Sequence, residues 1–73
     1  MHVLSRPAQR IKAIRAGLGM TQMEFAHELG ITVSTVSNWE RGVYAPSGLA
    51  EQRIRELCVA YSFDLHQMRR FVA

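Results

Sequence analysis

Apolar residues recur at helical spacing along most of the chain, and strand-like alternation never lasts long enough to compete. This pattern predicts five helices. The first covers about residues 6–16, because Ser5 can cap it, Pro7 suits its first turn, and Gly17 and Gly19 follow its last apolar positions.

The second predicted helix has the strongest local signature in the chain. Thr21 has the position of an N-cap and Glu24 that of the third helical residue, which together make a capping box. Met20 and Phe25 have the spacing of a hydrophobic staple across the same helix start. Gly30 supplies the left-handed residue that commonly ends a helix.

The third predicted helix begins within two residues of that glycine. Thr32 is its expected N-cap, Ile31 and Val36 repeat the staple spacing, and Gly42 ends it after about nine residues. Two short helices joined by so tight a Gly-containing turn must cross steeply. The expected geometry is therefore a helix-turn-helix.

The last part of the chain is predicted to contain two further helices. Ser47 can cap the fourth, whose apolar face consists of Ala50, Ile54, Leu57, Cys58 and Tyr61. The stretch "SFDL", residues 62–65, is expected to interrupt it, and a short fifth helix then completes an all-α, compact five-helix bundle. The apolar stripe of this C-terminal segment, within residues 62–73, comprises Leu65, Met68, Phe71 and Val72. It fits a dimer surface and a closing piece of the core equally well.

The outward face of the third helix is made of short side chains. A helical wheel turns Val36, Trp39 and Glu40 inward and leaves five residues outside: Val33, Ser34, Ser37, Asn38 and Arg41. Ser, Thr and Asn compete with helical hydrogen bonds and weaken a helix, so another gain should offset them. Short polar groups and a methyl-bearing Val suit the edges of bases in the DNA major groove. The alternative is a poorly optimised exposed helix.

Length, composition and charge narrow the function classes. A chain of 73 residues makes one domain, residues 1–73, and has little apolar surface to spare outside one core. No apolar run approaches the roughly 20 residues of a membrane span, and no secretion signal is recognisable, so we expect a cytoplasmic protein. The net charge of +3, with eight Arg among nine basic residues, suggests a polyanionic partner.

Side chains that could carry catalysis or bind metal form no recognisable arrangement. His2, His27 and His66 share no ligand spacing, and the lone Cys58 has no partner for a metal motif. We expect no metal, no cofactor and no enzymatic activity. Phe25 and Trp39 lie at inward positions, so core packing is expected rather than stacking on nucleic-acid bases.

The stretch "MTQMEFAHELGITVSTVSNWERG", residues 20–42, closely resembles the helix-turn-helix signature of the phage repressor and Cro family of bacterial transcription regulators, also called the XRE-like family. The matching positions are Thr21, Gln22, Phe25, Ala26, Leu29, Gly30, Val36, Trp39, Glu40 and Gly42. The resemblance covers about residues 7–61. It implies a lambda-repressor-like domain with a helix-turn-helix core at 21–41, binding double-stranded DNA as a regulator, usually a repressor.

The resemblance also implies roles for individual residues. Base contacts fall on Val33, Ser34 and Asn38, with Thr35 and Ser37 at the margin. Phosphate contacts fall on Gln22, Arg41, Tyr44 and Ser47, with Arg10 as a further candidate. Arg15 and Glu40 take the positions of an ion pair that joins helix 1 to helix 3. Val33 stands where many relatives have a polar residue, which favours contact with a thymine methyl group.

Three functions stay open at this point. A regulator this small reads few base pairs, so a homodimer on an inverted repeat, with half-sites about 34 Å apart, is expected. The stretch "YAPSGLAEQRIREL" also resembles antitoxins, which would bind a toxin protein as well as an operator, although a long toxin-wrapping extension is not evident. A protein-interaction module that keeps the fold without reading DNA is compatible with the modest net charge.

Overall fold

The computed structural model describes the backbone of residues 6–72 and the side chains of residues 7–62. Within that range the chain is all-helical, as predicted, and no strand is present. The elements are α1 (Arg6–Gly17), α2 (Gln22–Leu29), α3 (Val33–Glu40) and α4 (Gly48–Val72). The expected cap Ser5 and the terminal His2 lie outside the described residues, as does the side chain of His66.

The prediction of five helices is wrong, because α4 continues for 25 residues through the expected break at 62–65. The sequence "SFDL" contains neither Gly nor Pro, so no backbone feature there ends a helix. The predicted fifth helix is the distal part of α4. The side chains of its apolar stripe, Leu65 to Val72, lie outside the described residues.

The start of α2 is fixed by the capping box that the sequence predicts. Thr21 Oγ1 accepts a hydrogen bond from the backbone N–H of Glu24 at 3.1 Å, and the Glu24 carboxylate accepts one from the backbone N–H of Thr21 at 2.9 Å. The hydrogen bond from the Thr21 backbone to the carboxylate, helped by the Thr21 hydroxyl, holds the pKa of Glu24 below its ordinary value. Met20 and Phe25, the predicted staple, are both buried.

The turns after α2 and α3 each depend on a glycine with a left-handed backbone. Gly30 has φ +70° and Gly42 has φ +76°, a conformation that costs other residues about 1–2 kcal/mol. Each lets the next N–H bond back across the helix end, from Ile31 to the Ala26 carbonyl at 3.0 Å and from Val43 to the Asn38 carbonyl at 2.9 Å. The chain can therefore reverse after each short helix within a few residues.

One apolar cluster holds the four helices together. Its largest fully buried side chains come one from each helix in turn: Ile11, Phe25, Val36 and Ile54. Trp39 is 3% exposed in the same cluster, so the prediction that Phe25 and Trp39 serve the core is confirmed. Burying side chains of this size stabilises a fold by about 1.5–3 kcal/mol each. None of the described helices has the length and apolar character needed to cross a membrane.

Candidate nucleic-acid interface

The face of α3 opposite the core presents the short side chains that the sequence places there. Val33 is 42% exposed and Ser34 is exposed, whereas Ser37 and Asn38 are half-buried. Val36, on the other side of the same helix, is fully buried. The helix thus offers a surface without long side chains, over which another molecule can approach the backbone closely.

Thr35, at the margin of this face, is engaged at the start of its own helix. Its hydroxyl oxygen lies 3.0 Å from that of the N-cap Thr32, and its backbone N–H donates to Thr32 Oγ1 at 3.3 Å. The Thr35 side chain is half-buried. Its hydroxyl therefore fixes the helix start and has less capacity left for a base than Ser34 has.

Asn38 lies at the centre of a polar cluster that also contains Arg41 and Tyr44. Asn38 Nδ2 donates to Tyr44 Oη at 3.3 Å, and Arg41 Nη2 donates to Asn38 Oδ1. Tyr44 is 48% exposed and Arg41 is exposed. The structure thus brings one residue expected at the bases together with two expected at phosphates.

Gln22 opens α2 beside the last turn of α3. Its Nε2 donates to Glu40 Oε1 at 3.2 Å, and its side chain is half-buried. The Gln22 amide keeps a second N–H and its carbonyl oxygen for another partner. Glu40 therefore orients Gln22, for which the family resemblance implies a phosphate contact.

Glu40 also receives two hydrogen bonds from the Arg15 guanidinium of α1, and it is 6% exposed. Burial by itself would raise the pKa of Glu40, but the hydrogen bonds from Arg15 and Gln22 and the charges of Arg15 and Lys12 outweigh it and hold the pKa below its ordinary value. The hydrogen bond with Glu40 raises the pKa of Arg15 in turn. Both groups stay charged at neutral pH.

The remaining predicted phosphate contacts lie on α1 and at the start of α4. Arg10 forms an ion pair with Glu51, and the Arg10 side chain keeps 45% exposure. Ser47 caps α4, as predicted, because its Oγ accepts from the backbone N–H of Ala50 at 3.2 Å. Its hydroxyl proton is still available to donate to a phosphate oxygen.

Sequence reasoning did not find the pairings of Asn38 with Tyr44, of Gln22 with Glu40 and of Arg10 with Glu51. It also missed Arg53, whose Nη1 donates to the Leu29 carbonyl at the end of α2, at 3.1 Å. One signal was present for the first pairing, since a left-handed glycine at 42 turns residue 44 back toward the last turn of α3. The others join helices far apart in sequence.

Within the described part of the chain, no three His, Cys, Asp or Glu side chains come close enough to hold a metal ion. The exposed and half-buried polar side chains of α3, together with Gln22 and the polar side chains of residues 41–47, carry amide, hydroxyl and guanidinium groups. Such groups suit hydrogen bonding to base edges and phosphate oxygens.

A family model described as helix-turn-helix matches residues 11–57, which run from the middle of α1 into the first half of α4. No curated protein matches the chain.

Proposed function

The chain belongs to the helix-turn-helix family of XRE-like DNA-binding proteins, and from that premise we propose that it is a sequence-specific transcription regulator of double-stranded DNA. It acts as a repressor and binds an inverted-repeat operator as a dimer. Its site of action is the cytoplasm, in association with the nucleoid of a bacterium or with phage DNA.

The observation that carries this proposal is the outward face of α3. Val33, Ser34 and Asn38 project from one short helix whose other side is locked into the core by Val36 and Trp39. A rigid helix with short polar side chains can enter the major groove and place hydroxyl and amide groups at base edges. Ser37 and Thr35 complete the reading surface at its edge.

Phosphate contacts on either side of α3 would set its position in the groove. Gln22 at the start of α2, and Arg41, Tyr44 and Ser47 after α3, provide donors in the described structure, and Arg10 adds one from α1. Phosphate contacts fix register and orientation, whereas base contacts specify sequence.

The dimer surface is proposed on the distal part of α4. Leu65, Met68 and Val72 recur at spacings of three and four residues, as in helices that pair along one stripe. Sedimentation over a dilution series of Phe71→Glu tests this directly. A folded monomer supports the interface, whereas an unfolded protein would show that this stripe closes the core instead.

Selection of binding sites from a random pool of duplexes, near physiological salt, tests the function itself. The wild-type protein is expected to enrich an inverted repeat, and a Ser34→Ala/Asn38→Ala double variant is expected to lose that enrichment. Gln52→Ala/Ser62→Ala, which removes two exposed polar side chains of α4, is the matched control and should select the wild-type site. A folded wild-type protein that enriches nothing would overturn the proposal.

A second function, as the antitoxin of a toxin–antitoxin operon, is favoured by apolar side chains on the surface. Four of them are more than half exposed: Met23, Val43, Leu49 and Val59. An antitoxin would bind a toxin protein as well as the operator, so a toxin gene should adjoin its own. A non-DNA-binding interaction module would instead show no salt-dependent affinity for duplex, because it releases no counterions from phosphates.

A further inference from the structure

We infer that Tyr44 is a positioning residue that, with Arg41, holds the side-chain amide of Asn38 in the orientation that reads adenine. This inference rests on the proposed function. It identifies adenine as the base that Asn38 reads. It also adds Tyr44, which lies outside α3, to the residues that determine base recognition.

The orientation of the Asn38 amide follows from its two partners. Arg41 carries only donors, so the atom of Asn38 that faces it must be the oxygen. The amide nitrogen therefore faces Tyr44, whose oxygen accepts at 3.3 Å. An amide turned by 180° would place its N–H groups against the guanidinium, which cannot accept them. Arg41 therefore selects one of the two orientations, and Tyr44 stabilises that orientation by accepting from the amide nitrogen.

The amide keeps one donor and one acceptor after these bonds. Asn has two N–H donors and two acceptor lone pairs, and the cluster uses one of each. In the major groove adenine offers an N6 donor beside an N7 acceptor, which matches such a pair bidentately. Guanine offers two acceptors at the same edge, so it can satisfy only the N–H of Asn38.

The backbone places Tyr44 where it can act in this way. Gly42, with φ +76°, reverses the chain, and the N–H of Val43 bonds to the Asn38 carbonyl at 2.9 Å. The segment after α3 therefore holds Asn38 by its main chain as well as by its side chain. Because Tyr44 Oη accepts from Asn38, its own proton remains available for a phosphate. A phosphate contact and a base contact would thus be joined through one hydroxyl.

The test compares Tyr44→Phe with wild type on duplexes that differ at single base pairs of the selected site. Asn38→Ala first identifies the base pair that Asn38 reads, which is expected to be A·T. Tyr44→Phe keeps the ring and removes only the hydroxyl. A good bidentate contact discriminates between base pairs by about 5- to 150-fold. We expect Tyr44→Phe to reduce the discrimination against G·C at that pair by about fivefold or more. Discrimination at the other pairs should stay unchanged.

Tyr61→Phe is the matched control, because Tyr61 lies half-buried beside the core on α4. In the free protein, the side-chain amide resonances of Asn38 should shift in Tyr44→Phe and not in Tyr61→Phe. Unshifted resonances, or an equal loss of affinity for all duplexes, would overturn the positioning role and leave the proposed function intact. A wild-type protein without any base preference would overturn both.

Discussion

Arg15 of α1 donates two hydrogen bonds to the carboxylate of Glu40 at the end of α3, from Nε at 2.6 Å and from Nη2 at 3.0 Å. A third donor, Nη1, reaches the Met20 carbonyl just before α2 at 2.9 Å. One guanidinium therefore connects α1, the α1–α2 turn and α3. The side chains of Arg15 and Glu40 are only 17% and 5% exposed, so the pair is shielded from water.

Glu40→Gln should destabilise the protein by about 3 kcal/mol, because it leaves the shielded Arg15 without a charged partner. Urea unfolding at neutral pH measures this. Glu51→Gln is the matched control, since it breaks the more exposed pair with Arg10 and should cost about 1 kcal/mol at most. Equal losses of unfolding free energy in the two variants would show that the Arg15–Glu40 pair stabilises the protein no more than the exposed Arg10–Glu51 pair does.

Stability should fall in acid through Glu40. Its pKa is held below the ordinary value of 4.5, so the unfolded chain takes up a proton at higher pH than the folded chain does. The stabilising contribution is complete above about pH 4.5 and is lost as the pH falls through the lower folded value. Urea midpoints between pH 7 and pH 3 should fall less steeply for Glu40→Gln than for wild type. Parallel curves would contradict the assignment.

Thr21→Ala should cost about 1 kcal/mol, because it removes the side-chain half of the capping box at the start of α2. Thr21→Ser keeps a hydroxyl that can accept the same bond from Glu24, so it should stay close to wild type. Thermal unfolding of the three proteins checks the order. If Thr21→Ser loses as much as Thr21→Ala, the hydroxyl is not the stabilising group.

The local features of this fold could be predicted from sequence, because each depends on residues a few positions apart. The capping box at Thr21 and Glu24, the left-handed Gly30 and the cap Ser47 all depend on hydrogen bonds to the backbone within about one helical turn. The length of α4 was missed since "SFDL" is poor in helix-favouring residues yet contains no residue that stops a helix.

The candidate site was predictable in part for the same reason. The outward positions of α3 follow from helical period, whereas the partners of its polar groups depend on where other helices lie. Gln22 was expected to contact phosphate, and nothing in the sequence shows that Glu40, 18 residues away, accepts its side-chain amide. The role of Arg15 and Glu40 was implied by family resemblance alone, since each would otherwise read as an ordinary surface charge.

Arg41→Gln should lower the salt dependence of DNA binding without abolishing sequence preference. Each phosphate neutralised by a cation contributes about 0.9 to the slope of log affinity against log salt, so a dimer with two Arg41 side chains should lose roughly 1.8. A loss near half that value would indicate one Arg41–phosphate contact per complex. The Gln amide can still donate to Asn38 Oδ1, as Arg41 does, but it can also accept, so weaker discrimination is expected at the base pair that Asn38 reads and nowhere else. Arg55→Gln, on the exposed side of α4, is the control and should leave the slope unchanged. Equal changes of slope in both variants would show that the effect comes from net charge rather than from a phosphate contact at Arg41.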